Sequence, residues 1–177
     1  MLFLFNLNIG TKIEIQAAIM SEMLGNQYFL SRRYALALKE LEKALSKDPE
    51  NKKIQRKLII CYTQVGEVKK AIIHFLALIK KDIRFILDVD PISEDCPCPE
   101  LVYKSQNKDE VNPESLDYCL IHGMLWLFCD LKKSLTYFKK AQEIDKNNSD
   151  IKFVIIKLTS QLEKENELLV RGSDEKI

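Results

Sequence analysis

Two groups of side chains in this sequence have types and spacings that suit chemistry. Cys96-Pro97-Cys98-Pro99 places two thiols on a segment that its prolines hold extended, and Cys119 and His122 stand one helical turn apart, so that both can face one point. Cys96, Cys98, Cys119 and His122 make up a Cys3His set of the kind that holds zinc. The same residues have two plainer readings, as small buried thiols with a core histidine or as a thiol pair that responds to oxidants. Cys61, Cys129 and His74 read as packing residues. No Gly-rich phosphate loop, Ser-His-Asp set or pair of histidines on one helix is visible, and two histidines supply few general bases, so an enzyme is not expected. Neither Asp88-Val89-Asp90 nor Asp109-Glu110 has the glycine and glutamate spacing of a calcium loop.

The charges are unevenly spread. The net charge is +1, yet residues 31–81 carry 13 Lys and Arg against 5 Asp and Glu, whereas residues 82–118 carry 3 against 10. Such a dipolar chain points to an acidic partner or to internal complementarity. Nucleic acid is not indicated, because the basic residues are not interleaved with aromatics. The acidic stretch has no basic residue between Arg84 and Lys104 and is expected to fold back on the basic residues before it, completing a binding surface or occupying it; a solvated acidic loop is the alternative. The apolar start has no basic residue before it, and no run of about 18 uncharged apolar residues follows, so neither a signal peptide nor a membrane span is expected. Five cysteines, an odd number, argue against a disulfide framework, and the expected location is cytoplasmic.

These residues must be positioned by helices. The chain has 177 residues, of which 46% are hydrophobic and only five are Gly and five Pro, as a single helical domain would have. Residues 1–10 read as an apolar N-terminal arm; Thr11 and Glu14 form a capping box that would open a first helix running to about Leu30. A second helix is expected from about Tyr34 to Ser46, stopped by Asp48-Pro49. Leu24, Tyr28, Ala37 and Leu41 recur after about 34 residues as Leu58, Tyr62, Ala71 and Phe75, with Gly66 at the turn between helices. The apolar series through Ile83, Ile86 and Leu87 extends the fourth helix by one or two turns. Tyr118, Ile121, Ser134, Phe138 and Ala141 restore the register later, with His122 in the glycine position. Four of the five prolines fall in residues 86–114, which cannot be one helix. A last amphipathic helix is expected from Asp150 to about Val170, before a disordered tail at 171–177.

Leu24-Gly25, Tyr28, Ala37, Ala44 and Pro49 follow the L-G-x2-Y, A, A, P order of a helix-turn-helix repeat, and the chain resembles the tetratricopeptide repeat (TPR) family. The resemblance implies an all-α, right-handed TPR-like α-solenoid of antiparallel helix pairs. Its repeats would lie at about 18–51, 52–85 and 115–148, with an insert at 86–114 and a C-terminal capping helix at 150–170. It also implies a concave groove lined by the first helix of each repeat, here Glu22, Asn26 and Phe29, then Lys53, Arg56, Lys57 and Thr63, then Cys119, Gly123 and Trp126. Basic, amide and aromatic groups along that stripe suit an extended peptide bearing a carboxylate, although Trp126 among apolar neighbours has a competing role in packing. One TPR subset grips C-terminal carboxylates with a Lys and Asn clamp; Asn26 matches its asparagine, while Glu22 stands where that clamp has Lys. The implied function is a protein-interaction module, a scaffold, adaptor or chaperone-like subunit, that binds a protein or peptide without a cofactor. A zinc- or thiol-dependent regulator using Cys96 and Cys98 is the alternative, and a homodimer through Met1 to Ile9 is a further option.

Overall fold

The structure is a computed structural model that describes the backbone of residues 2–89, 100–101 and 112–174 and the side chains of residues 14–89, 100–101 and 112–168. Among these residues every regular element is helical: α1 (Leu2–Leu30), α2 (Tyr34–Lys47), α3 (Lys52–Gln64), α4 (Val68–Lys81), α5 (Arg84–Leu87), α6 (Leu116–Trp126), α7 (Leu131–Ile144) and α8 (Ser149–Asp174). They fall into two compact units, Met1–His74 and Phe75–Ile177, so that the division runs through α4. Within each unit, sequential helices pack on one another, the construction of a TPR-like α-solenoid. No described helix is long and apolar enough to cross a membrane.

In the first unit α1 and α2 form an antiparallel hairpin. Gly25 makes this possible: a Cβ there would stand 2.8 Å from Leu41 Cδ2 and 3.2 Å from the Leu41 backbone nitrogen, so the helices meet where one has no side chain. Phe29, Ala37, Leu41 and Ala44 are buried around that contact. The turn that joins the two helices is built from backbone hydrogen bonds. Arg32 adopts a left-handed conformation with φ 61°, its N–H donates to Phe29 O at 3.0 Å, and the Arg33 N–H donates to Tyr28 O at 2.9 Å. Gly66, one repeat period later, has φ 80°, and the Glu67 N–H donates to Tyr62 O at 2.9 Å. The repeat is therefore written in backbone torsions as well as in side chains. Between α2 and α3, Asn51 Oδ1 accepts from the Ile54 N–H at 3.1 Å and caps α3, while Gln55 Nε2 donates to Pro49 O at 2.6 Å.

In the second unit α6 and α7 repeat the hairpin with different parts. A Cβ at Gly123 would stand 2.8 Å from Phe138 Cε2, and Ser134 Oγ donates to Gly123 O at 2.7 Å inside the contact. Phe138 stacks on Phe75 with ring centroids 5.6 Å apart. Ser115 caps α6, Asp130 caps α7, and Asn148 Oδ1 accepts from the Ile151 N–H at the start of α8. Ile151, Val154 and Leu158 give α8 its buried face.

Several expectations change. Residues 2–10 are helical and continuous with α1, so Thr11 and Glu14 lie inside a helix and no boundary falls there. The fourth helix ends at Lys81: the Asp82 side chain accepts from the Arg84 N–H at 2.9 Å and separates the four-residue α5 from it. The glycine position of the third hairpin belongs to Gly123, and His122 is beside it, because one residue fewer separates Gly123 from Phe138 than separates Gly25 from Leu41. Backbone helix continues to Asp174 through residues expected to be disordered. Of the proline-rich insert, residues 90–99 and 102–111, Cys96 and Cys98 included, lie outside the described residues, and with them the expected fold-back onto the basic repeat.

Candidate functional site

The first-helix stripe in the first unit brings three of its members together. Lys57 Nζ donates to Asn26 Oδ1 at 2.6 Å and lies 5.7 Å from the centroid of the Phe29 ring. On α3, Ile54, Leu58 and Cys61 are buried, and Lys57 stands one turn before Cys61 at the edge of that face, half-buried like Arg56, while Lys53 is exposed. Glu22 is half-buried one turn before Asn26. Phe29 is only 1% exposed and acts as a floor beneath the ammonium. Thr63 is buried, and its hydroxyl donates to Ile60 O at 2.7 Å within its own helix. This face presents three cations, an amide and one carboxylate, a set that can receive a carboxylate through charge-assisted hydrogen bonds.

Trp126 belongs to the second unit and is 4% exposed, with Lys133 Nζ 4.0 Å above its ring. It follows Gly123 at the spacing by which Tyr28 follows Gly25. Tyr28, Tyr62 and Trp126 each carry a cation over the ring: Arg33 at 5.4 Å, Lys70 at 5.6 Å and Lys133 at 4.0 Å. Trp126 thus holds a recurring aromatic position of the repeat, which the mistaken glycine register had hidden. Gly123 faces Phe138, and Cys119 is buried with its Sγ 3.9 Å from Pro113 O.

His122 is 1% exposed and lies in an aromatic stack, 3.8 Å from the Tyr118 ring centroid and 5.1 Å from that of Tyr137. Its Nδ1 is 2.9 Å from Tyr118 O, an acceptor that calls for a proton on that nitrogen. Burial pushes its pKa down, against the hydrogen bond to Tyr118 O, and burial pushes the Cys119 thiol up. Among the described residues no group of three His, Cys, Asp or Glu side chains is placed to hold a metal ion. Cys61 is fully buried and pushed up to about 12 by desolvation, while Cys129, read from the sequence as a packing residue, is exposed in the turn before α7. His74 stacks on Tyr62 at 5.4 Å, and Tyr62 Oη donates to Glu42.

The second unit also holds a cleft of about 670 Å3 between the end of α4, α5 and the C-terminal half of α8. Ile79, Ile83, Leu87 and Leu168 line it, with lysines, Arg84 and acidic residues around them. Charges of both signs leave it without a preferred ligand. Nothing in the sequence spacing pointed to it, because it needs the break at Asp82.

Residues 28–82 match the tetratricopeptide repeat family. No curated protein matches the chain significantly. Tetratricopeptide repeats generally mediate protein–protein interaction, and the matched stretch contains the two left-handed turns one period apart and the basic residues of α3, so it is over residues 28–82 that this chain is similar to the tetratricopeptide repeat family.

Proposed function

We propose that the chain is a non-catalytic protein-binding module, a scaffold, adaptor or chaperone-like subunit, that receives an acidic segment of a partner protein on the first-helix face of residues 22–63. The observation that carries this reading is the grouping of Lys57, Asn26 and Phe29, with Lys53 and Arg56 alongside on α3. Lys57 is held over an aromatic floor by an amide, which limits the entropy lost when its ammonium meets a carboxylate. Lys53 and Arg56 add long-range attraction for an acidic chain. Free, buried thiols at Cys61 and Cys119 suit a reducing compartment such as the cytoplasm.

Selection from a displayed peptide library tests the proposal. Peptides rich in Asp and Glu should be enriched, and replacing Lys53 and Arg56 by Glu should weaken the selected peptides by about tenfold or more. Enrichment of apolar or basic peptides, or unchanged affinity after the charge reversal, would overturn it.

A further inference from the structure

The face that holds Lys57 and Asn26 carries one carboxylate, Glu22, and two antiparallel steps fix where it stands. Gly25 meets Leu41 and Glu14 meets Lys47, so α2 runs against α1. Glu42 meets Tyr62 and Pro49 meets Gln55, so α3 runs against α2 and therefore along α1. With Asn26 bonded to Lys57, one turn back on each helix sets Glu22 level with Lys53. Glu22 is half-buried, yet among the described residues it has neither a hydrogen bond nor an ion pair, and neither has Lys53. A carboxylate drawn partly out of water is costly unless a cation or donor meets it. The same stripe of α1 continues past Glu22 to Ile19 and Ile15, which are 47% and 60% exposed. Along α1 the face thus reads apolar, negative, amide, with Arg56 and Lys57 beside the amide.

We propose that the partner's segment is bipolar: an Asp or Glu that meets Lys57 and Asn26, then a Lys or Arg that pairs with Glu22, then an apolar residue on Ile19 and Ile15. The inference rests on the reading of this face as a binding site for an acidic segment and adds the order of the ligand's side chains. Asn26 gives its Oδ1 to Lys57, and its amide N–H groups, unbonded among the described residues, are left to donate to the ligand's carboxylate. Lys53 makes no ion pair with Glu22, so that carboxylate stays open to a cation from outside. The spacing suits an extended chain. Four residues of helix separate Asn26 from Glu22, about 6 Å, and alternate residues of an extended chain, which point to one side, stand about 6.6 Å apart. The acid and the base of the ligand are therefore two residues apart. Ile19 and Ile15 lie about 4.5 and 10.5 Å beyond Glu22, and the next ligand residue on that side falls between them.

Selection from the displayed peptide library, repeated on the full chain and on its Glu22→Gln and Glu22→Lys variants with helical content checked for each, tests the order. On the wild type, Lys or Arg should be enriched two positions from the Asp or Glu, with an apolar residue two positions further on. A selected peptide should bind about threefold more weakly to Glu22→Gln and about tenfold more weakly to Glu22→Lys, which should itself select an acid where the wild type selects a base. Glu22→Gln keeps the shape of the side chain, so it decides the matter even where the charge reversal disturbs α1. Ile19→Ser should remove the apolar preference alone, and a preference that survives it overturns that contact. Acidic peptides with no base at the set position, or the same base selected by all three proteins, overturn this inference and leave the acidic-segment reading standing. A selection without acidic peptides overturns the reading on which it rests.

Discussion

The α1–α2 and α6–α7 hairpins solve one packing problem in two ways. Each brings its helices together at a glycine, but Gly25 is met by the flexible Leu41 and Gly123 by the flat ring of Phe138. The first hairpin turns through a left-handed Arg32; the other has no positive φ and one residue fewer between its contacting pair. Ala37 is buried at the small position of the first, whereas Ser134 fills that place in the second and ties itself to Gly123 O. What these two hairpins share is a close approach at a bare backbone opposite a large apolar group, while the identity of that group and the turn vary; the repeat between them does without the glycine, since the buried Ile59 stands one period after Gly25.

Truncation should separate the two hairpins most. Phe138→Ala removes a fully buried ring that also stacks on Phe75 and should cost about 3–5 kcal/mol, against about 2–4 kcal/mol for Leu41→Ala, read from denaturant midpoints. Equal losses would mean that the ring contributes nothing beyond its volume. Adding a methyl to the glycines should have a smaller effect of the opposite kind. Gly25→Ala and Gly123→Ala each gain about 1 kcal/mol of helix propensity yet should be destabilising, since overpacking costs about 1–3 kcal/mol. Gly25→Ala should be the worse, because its methyl would also meet the Leu41 backbone nitrogen, which cannot swing aside.

Acid should distinguish the second hairpin through His122. Its pKa is lowered by burial from the ordinary 6.5, so the unfolded chain takes up a proton at a pH where the folded chain does not. The stability that His122 contributes is present above about pH 6.5 and is lost as pH falls toward and through its folded pKa. Melting temperatures should decline over that range, and His122→Phe should flatten the decline while leaving the smaller contribution of the half-buried His74. The smallest effect is expected at the turns: Gly66→Ala should lose about 1 kcal/mol at its positive φ, and Arg32→Gly should gain a few tenths to about 1 kcal/mol.

The helix pairs were legible because Tyr28, Ala37 and Leu41 and their counterparts Tyr62, Ala71 and Phe75 keep one spacing and are buried for one reason. The third glycine was misplaced because a fixed period, counted back from Phe138, lands on His122 when the turn is a residue shorter. The start of α1 was missed since its apolar residues surround the helix and leave no periodicity, while Thr11 and Glu14 imitate a cap. Asp82 ended α4 through a side-chain hydrogen bond, which hydrophobic spacing does not report. In the candidate site the basic residues of α3 could be picked from their spacing, but the bond between Lys57 and Asn26 depends on how α1 and α3 lie against each other, and sequence alone holds no measure of that.

The matched torsions at Arg32 and Gly66 have a practical meaning. A segment that enters and leaves on the same backbone geometry can be copied. Inserting a second residues 33–66 directly after Gly66 would join glycine to Arg33 where Arg32 stands now, and would hand on to Glu67 through an unchanged glycine. Because repeats of this kind are stabilised by their nearest neighbours, the molecule should accept lengthening at that junction without a new linker, and the reach of the proposed binding face would then be a quantity that can be dialled.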